Sequence, residues 1–96
     1  MDMTFQNIIG ITVLVGLTYL SKDEEVLKQV QFFGTITQAD EKNGITINKA
    51  DINEVIYLPP DLRSLFIAEP GEYRLRSTED AIVNPDLLTT WTIKNP

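Results

Sequence analysis

Carboxylates are the commonest reactive groups in this chain: fourteen aspartates and glutamates stand against eight lysines and arginines, with no histidine and no cysteine. Two clusters concentrate them, Asp23-Glu24-Glu25 and Asp40-Glu41, each in a polar stretch that reads as a loop. A pair of acids that hydrolyses a bond needs one carboxyl held protonated in an apolar pocket. Neighbouring acids on a solvated turn are the opposite case. Without histidine, no side chain has an unperturbed pKa close to neutrality. Without cysteine, there is no thiolate nucleophile. Ser21, Ser64 and Ser77 sit in no nucleophile elbow and have no histidine to act as base.

Metal and phosphate chemistry fare no better. Asp40-Glu41-Lys42-Asn43-Gly44 offers oxygen ligands and a glycine, but it lacks the alternating spacing and closing glutamate of a calcium loop, and Lys42 opposes a cation. Asp51-Ile52-Asn53-Glu54 fails the same test. No glycine-rich phosphate loop follows a predicted strand. The expectation is a protein that is not an enzyme, with no catalytic residue, metal or cofactor.

The three arginines, Arg63, Arg74 and Arg76, fall close together in an otherwise acidic chain. Residues two apart on a strand share a face, so Arg74 and Arg76 are expected side by side. One reading is a recognition patch beside Tyr57 or Tyr73, since the guanidinium fork suits carboxylates and interfaces. The plainer reading is ion pairing with Glu54, Glu69 or Glu72.

The elements that must carry these groups read as strands. Over residues 8–20 the odd positions Ile11, Val13, Val15, Leu17 and Tyr19 are large and apolar, while the even ones are Gly10, Thr12, Leu14, Gly16 and Thr18, small or polar but for Leu14; this is a period of two. The run is shorter than the ~20 residues of a membrane-spanning helix. It also has an acidic start rather than the basic one of a signal peptide. It is therefore expected to be a core strand of a cytoplasmic protein.

A second strand is expected over residues 26–39, with Val26, Val30, Phe32 and Ile36 on one face and Gly34 marking a bulge or bend. Phe32 and Phe33, being adjacent, must face opposite sides. Asn43-Gly44 suits a tight hairpin turn into a third strand at residues 45–47, and residues 54–58 form a fourth. Pro59-Pro60 ends it, and Asp61 caps a helical turn over residues 62–65. Strands follow at 72–76, 81–83 and 89–94, with Trp91 expected to seal the core.

Short strands with regular turns imply an all-β barrel or sandwich within one domain, residues 1–96. Four strands, one helical turn and another strand is the layout of SH3-like and Sm-like barrels, which the chain resembles over residues 8–76. The tail is expected as an added hairpin or edge strand. The segments Leu58-Pro59-Pro60-Asp61-Leu62-Arg63 and Pro70-Gly71-Glu72-Tyr73-Arg74-Leu75-Arg76 resemble those of a family of small, uncharacterised bacterial proteins. That resemblance implies no activity and no site.

Net charge is −6 and evenly spread. A field of this sign disfavours phosphate backbones and anionic membranes. It favours a basic protein partner, chiefly through the association rate. The expected function is non-catalytic protein binding, in the form of an immunity protein capping a basic, nuclease-type toxin. Asp23, Glu24, Glu25, Asp40 and Glu41 would mimic phosphates, with Arg63, Arg74 and Arg76 as further contacts. The alternative is an Sm-like or SH3-like module that binds RNA or peptide, as a homo-oligomer or alone.

Overall fold

A computed structural model describes residues 3–50, 52–75 and 81–94. The chain opens on a single helical turn, α1 (Phe5–Ile8), capped by Thr4, whose hydroxyl accepts a hydrogen bond from the Asn7 amide at 3.1 Å. Ile8 drops into the core, fully buried. The first strand thus starts later than its apolar run suggests, because Gly10 turns the chain at φ +88°.

Eight strands follow among the described residues: β1 (Thr12–Leu20), β2 (Val26–Asp40), β3 (Gly44–Lys49), β4 (Val55–Leu58), β5 (Leu65–Ile67), β6 (Glu72–Arg74), β7 (Ala81–Val83) and β8 (Leu87–Lys94). A 3-10 turn, Leu62–Ser64, joins β4 to β5, with the Asp61 carboxylate accepting from the Arg63 amide as its cap. Six strands form one sheet in the order β4-β3-β2-β1-β8-β5; β6 and β7 pair separately. The molecule is all-β in character.

One face of the large sheet is the core. Val13 and Val15 on β1 face Gly34 and Phe32 on β2, and Leu87 and Thr89 on β8. Ile36, Ile45 and Ile47 extend the same cluster, and Leu58 of β4 joins Leu65 of β5 in it. The sheet therefore curls enough for strands at its two ends to share one core. Across its other face run Phe33, Leu14, Leu88 and Phe66, each directly opposite the next. The two adjacent phenylalanines do face opposite ways, Phe32 buried and Phe33 half-buried.

Two irregularities in β2 set its faces, and neither lies at Gly34. Thr37 is an extra residue between the pairs Ile36–Ile47 and Gln38–Thr46, so Ile36 and Ala39, three apart, both point inward. Leu27 is extra between Tyr19–Lys28 and Leu20–Val26, which turns Val26 away from the core face, 60% exposed. The expectation that Val26 shares the face of Val30 and Phe32 fails for this reason. Gly34 instead permits close approach: a Cβ there would collide with the Asn48 carbonyl oxygen and lie 2.7 Å from Ile47 Cγ2.

The last strand departs most from its expected place. β8 is neither an appended hairpin nor an edge; it lies between β1 and β5, parallel to the first and antiparallel to the second. It also begins at Leu87, fully buried, rather than at Thr89. Trp91 packs against the core but is only half-buried, so it does not seal it.

Thr89 is an exception in this apolar interior. It is 1% exposed, and its Oγ1 finds no hydrogen-bond partner among the described residues. A buried polar group without a partner costs about 1–3 kcal/mol. Thr89→Val replaces the hydroxyl by a methyl of similar size. It is expected to raise stability by about 1–2 kcal/mol, read as a higher urea midpoint at unchanged m-value.

Candidate functional site

The turn between β1 and β2 is built around Ser21. Its hydroxyl accepts from the amides of Asp23 at 3.2 Å and Glu25 at 3.1 Å. Its amide donates to the Glu25 carbonyl at 2.8 Å, and its carbonyl accepts from the Glu24 amide at 2.9 Å. Glu24 takes φ +68°, a left-handed conformation held by these bonds. The result is a defined tip on which Asp23, Glu24 and Glu25 are all exposed. Glu24 meets Lys94 at 3.3 Å, with both side chains exposed. Beside the acids, Val26 and Leu27 are 60% and 56% exposed.

The other acidic cluster is used differently. Asp40 accepts from the Lys42 amide at 2.9 Å and from both the amide and the side chain of Asn43. The Asn43 backbone bond, foremost, holds its pKa below the usual carboxylate value, so the group stays ionised and engaged in its own turn. Asp61 is lowered in the same way, first by the Arg63 amide. Glu41 is exposed and lines a groove of about 430 Å³ with Phe5, Pro59, Pro60 and Arg63.

The two acidic clusters stand at opposite ends of the longest strand, β2, and do not form one surface. The arginines are also dispersed. Arg74 pairs with Glu72 at 3.3 Å on β6, one of the partners the plainer reading named, whereas Arg63 pairs at 3.2 Å with Asp61, which it did not name. Arg76 lies outside the described residues, so the expected Arg74–Arg76 pairing on one face does too.

A second concavity was missed from the sequence. Tyr19, Lys28, Val30, Phe32, Lys49 and Ile56 are among the residues lining a groove of about 410 Å³ on the concave face of the sheet, beyond the packed core. A signal for it exists. Lys28 precedes the apolar positions Val30 and Phe32, and Lys49 follows Ile45 and Ile47, all at inward-facing steps of their strands. A charge at an inward step marks where the core gives way to a groove.

These features define the class only broadly: a small, acidic, curled-sheet protein with a structured acidic tip and an open apolar groove. No family model matches the chain, and neither a curated protein nor a solved structure matches it. Among the described residues, no group of three or more acidic side chains is gathered as a metal site. No helix among them is long and apolar enough to cross a membrane.

Proposed function

We propose that this chain is a non-catalytic binding protein that engages a basic protein partner through the tip formed by Ser21, Asp23, Glu24, Glu25, Val26 and Leu27. An immunity protein that caps a nuclease-type toxin is the particular form of this reading. The observation that carries it is the tip itself. Three carboxylates are held in a hydrogen-bonded turn next to two bare aliphatic side chains. Charge of one sign steers a basic partner into contact, and adjacent apolar area holds it there. Preorganisation by Ser21 lowers the ordering cost of binding.

In the same reading the sheet is a small SH3-like or Sm-like barrel, with β8 added between its first and fifth strands. Support comes from Leu58 and Leu65, which lie on the two end strands of the sheet and belong to one buried cluster. The RNA-binding alternative has less behind it, because Arg63 and Arg74 are already paired with carboxylates.

The test is association with a basic nuclease-type protein encoded beside this gene, followed by stopped flow at two ionic strengths. The wild-type rate is expected to fall about tenfold or more from low to high salt. The variant D23N/E24Q/E25Q is expected to associate about tenfold more slowly at low salt, with little change in dissociation. Association indifferent both to salt and to these substitutions would overturn the tip as the binding site.

A further inference from the structure

The groove beyond the core has the makings of a ligand site separate from the tip. Its floor is apolar surface that the fold leaves uncovered: Val30, Tyr19 and Ile56 are half-buried, and Ile93 is 40% exposed. Its volume of about 410 Å³ falls within the range of small-molecule pockets, roughly 300–1,000 Å³.

Two lysines enter it in different states. Lys49 is well covered, its side chain 17% exposed, with Nζ 5.0 Å from the centre of the Phe32 ring and 3.3 Å from Glu54 Oε1. Lys28 lies over Tyr19 at 4.8 Å, and that ring is its only partner among the described residues. Lys28, Lys49 and Glu54 sum to +1 in a protein of net charge −6. The groove is thus a locally cationic, apolar-floored site on an acidic molecule.

The shape selects a chain over a compact ring. Lys28 faces Tyr19, while Lys49 faces Gly34, six residues further along β2. Six strand residues span roughly 20 Å. Val30 lies between Lys28 and the Lys49 ammonium, which reaches back over the Phe32 ring, so the apolar floor runs along β2 with a lysine toward each end.

We propose that this groove binds a small amphiphilic carboxylate, an unbranched aliphatic chain lying along Val30, Phe32, Ile56 and Ile93 with its head group on the Lys28 ammonium. Lys28 supplies the charge complement because its ammonium has no carboxylate to displace. The site does not depend on the tip or its partner. It does feel the tip: Glu25 is only three residues from Lys28, so the tip carboxylates oppose an incoming anion.

The experiment is calorimetric titration of the intact chain with octanoate, decanoate and dodecanoate below their micellar concentrations. One saturable site is expected, tightening about fourfold for each methylene added. Lys28→Met is expected to weaken decanoate about tenfold and to leave decanol unchanged. Lys28 is an exposed residue, so this variant keeps the fold, and its thermal midpoint verifies that. Decyltrimethylammonium is expected to bind more weakly than decanoate, and D23N/E24Q/E25Q to bind decanoate more tightly than wild type. Absence of saturable dodecanoate binding would overturn the proposal. So would an unchanged decanoate affinity in K28M, or equal binding of the cationic and anionic chains.

Discussion

A chain ended at Pro85 is expected to remain unfolded, with no cooperative thermal transition and no strand signal in the far-ultraviolet circular dichroism. The residues removed include β8, which joins β1 to β5. Without it, β1 loses a neighbour, and β5 loses the strand it pairs with among the described residues. Leu87, fully buried, and Thr89 leave the core facing Val13 and Val15. Burial of a large aliphatic side chain contributes about 1.5–3 kcal/mol, and a domain's whole stability is about 5–15 kcal/mol.

The same cut removes a cross-link between the start of β1 and the start of β8. Thr12 Oγ1 donates to Asp86 Oδ2 at 2.7 Å, the Thr12 amide donates to the same oxygen at 3.2 Å, and the Asp86 amide donates back to Thr12 Oγ1 at 3.2 Å. Had the tail been an appendage, its removal would leave a folded barrel with a slightly lower midpoint. A sharp melt in the shortened chain would therefore refute the central position of β8.

Gly34→Ala is the second large effect. Gly34 is buried where β2 passes β3, and an added methyl would meet the Asn48 backbone carbonyl, which cannot swing aside, as well as the Ile47 side chain. Relief requires β2 and β3 to separate along the ladder from Gly34–Lys49 to Ile36–Ile47. The expected loss is about 3 kcal/mol. For a domain of this size that corresponds to a fall of roughly 12–24 °C in the thermal midpoint.

Gly16→Ala is the matched control. Its Cβ would lie 3.5 Å from Thr90 Cγ2, an ordinary contact, and Gly16 has no left-handed φ. Reduced freedom in the unfolded chain is then the main term, and a gain of about 0.4–1 kcal/mol is expected. Equal melting temperatures for the two variants would sink the close-approach account of Gly34.

Much of the local structure was legible because alternation is a local property. Val13, Val15 and Leu17 are separated by small or polar residues except at Leu14, and that pattern identified both β1 and its inward face. Pro59-Pro60 ended β4, and Asp61 capped the turn after it, as their backbone chemistry requires. The acidic tip was legible as a loop for the same reason. That Ser21 organises it was not, since its four hydrogen bonds depend on the turn's own geometry.

The faces of β2 were misread at Val26, because an extra residue reverses inside and outside and the composition of the strand does not announce it. Leu27 and Thr37 are ordinary strand residues; only their opposition to β1 and β3 makes them bulges. The groove was missed for a related reason. Lys28 and Lys49 stand on the adjacent strands β2 and β3, but the groove also takes Ile56 of β4 and Ile93 of β8, which come together only when the sheet curls.

By its sequence alone, this protein is committed to strands, to an aliphatic core, to a negative field and to chemistry without imidazole or thiol. Those follow from residue type and nearest-neighbour spacing. Which strand lies beside which was decided only in three dimensions: β8 pairs in parallel with β1, about seventy-four positions earlier in the chain, as the Val13–Leu87 register shows. Parallel partners meet through backbone groups that every residue carries, so side-chain spacing holds no record of the choice. The length of β2 sets the acids at its opposite ends, and the curl of the sheet gathers Ile56 of β4 and Ile93 of β8 around the two lysines of one apolar groove.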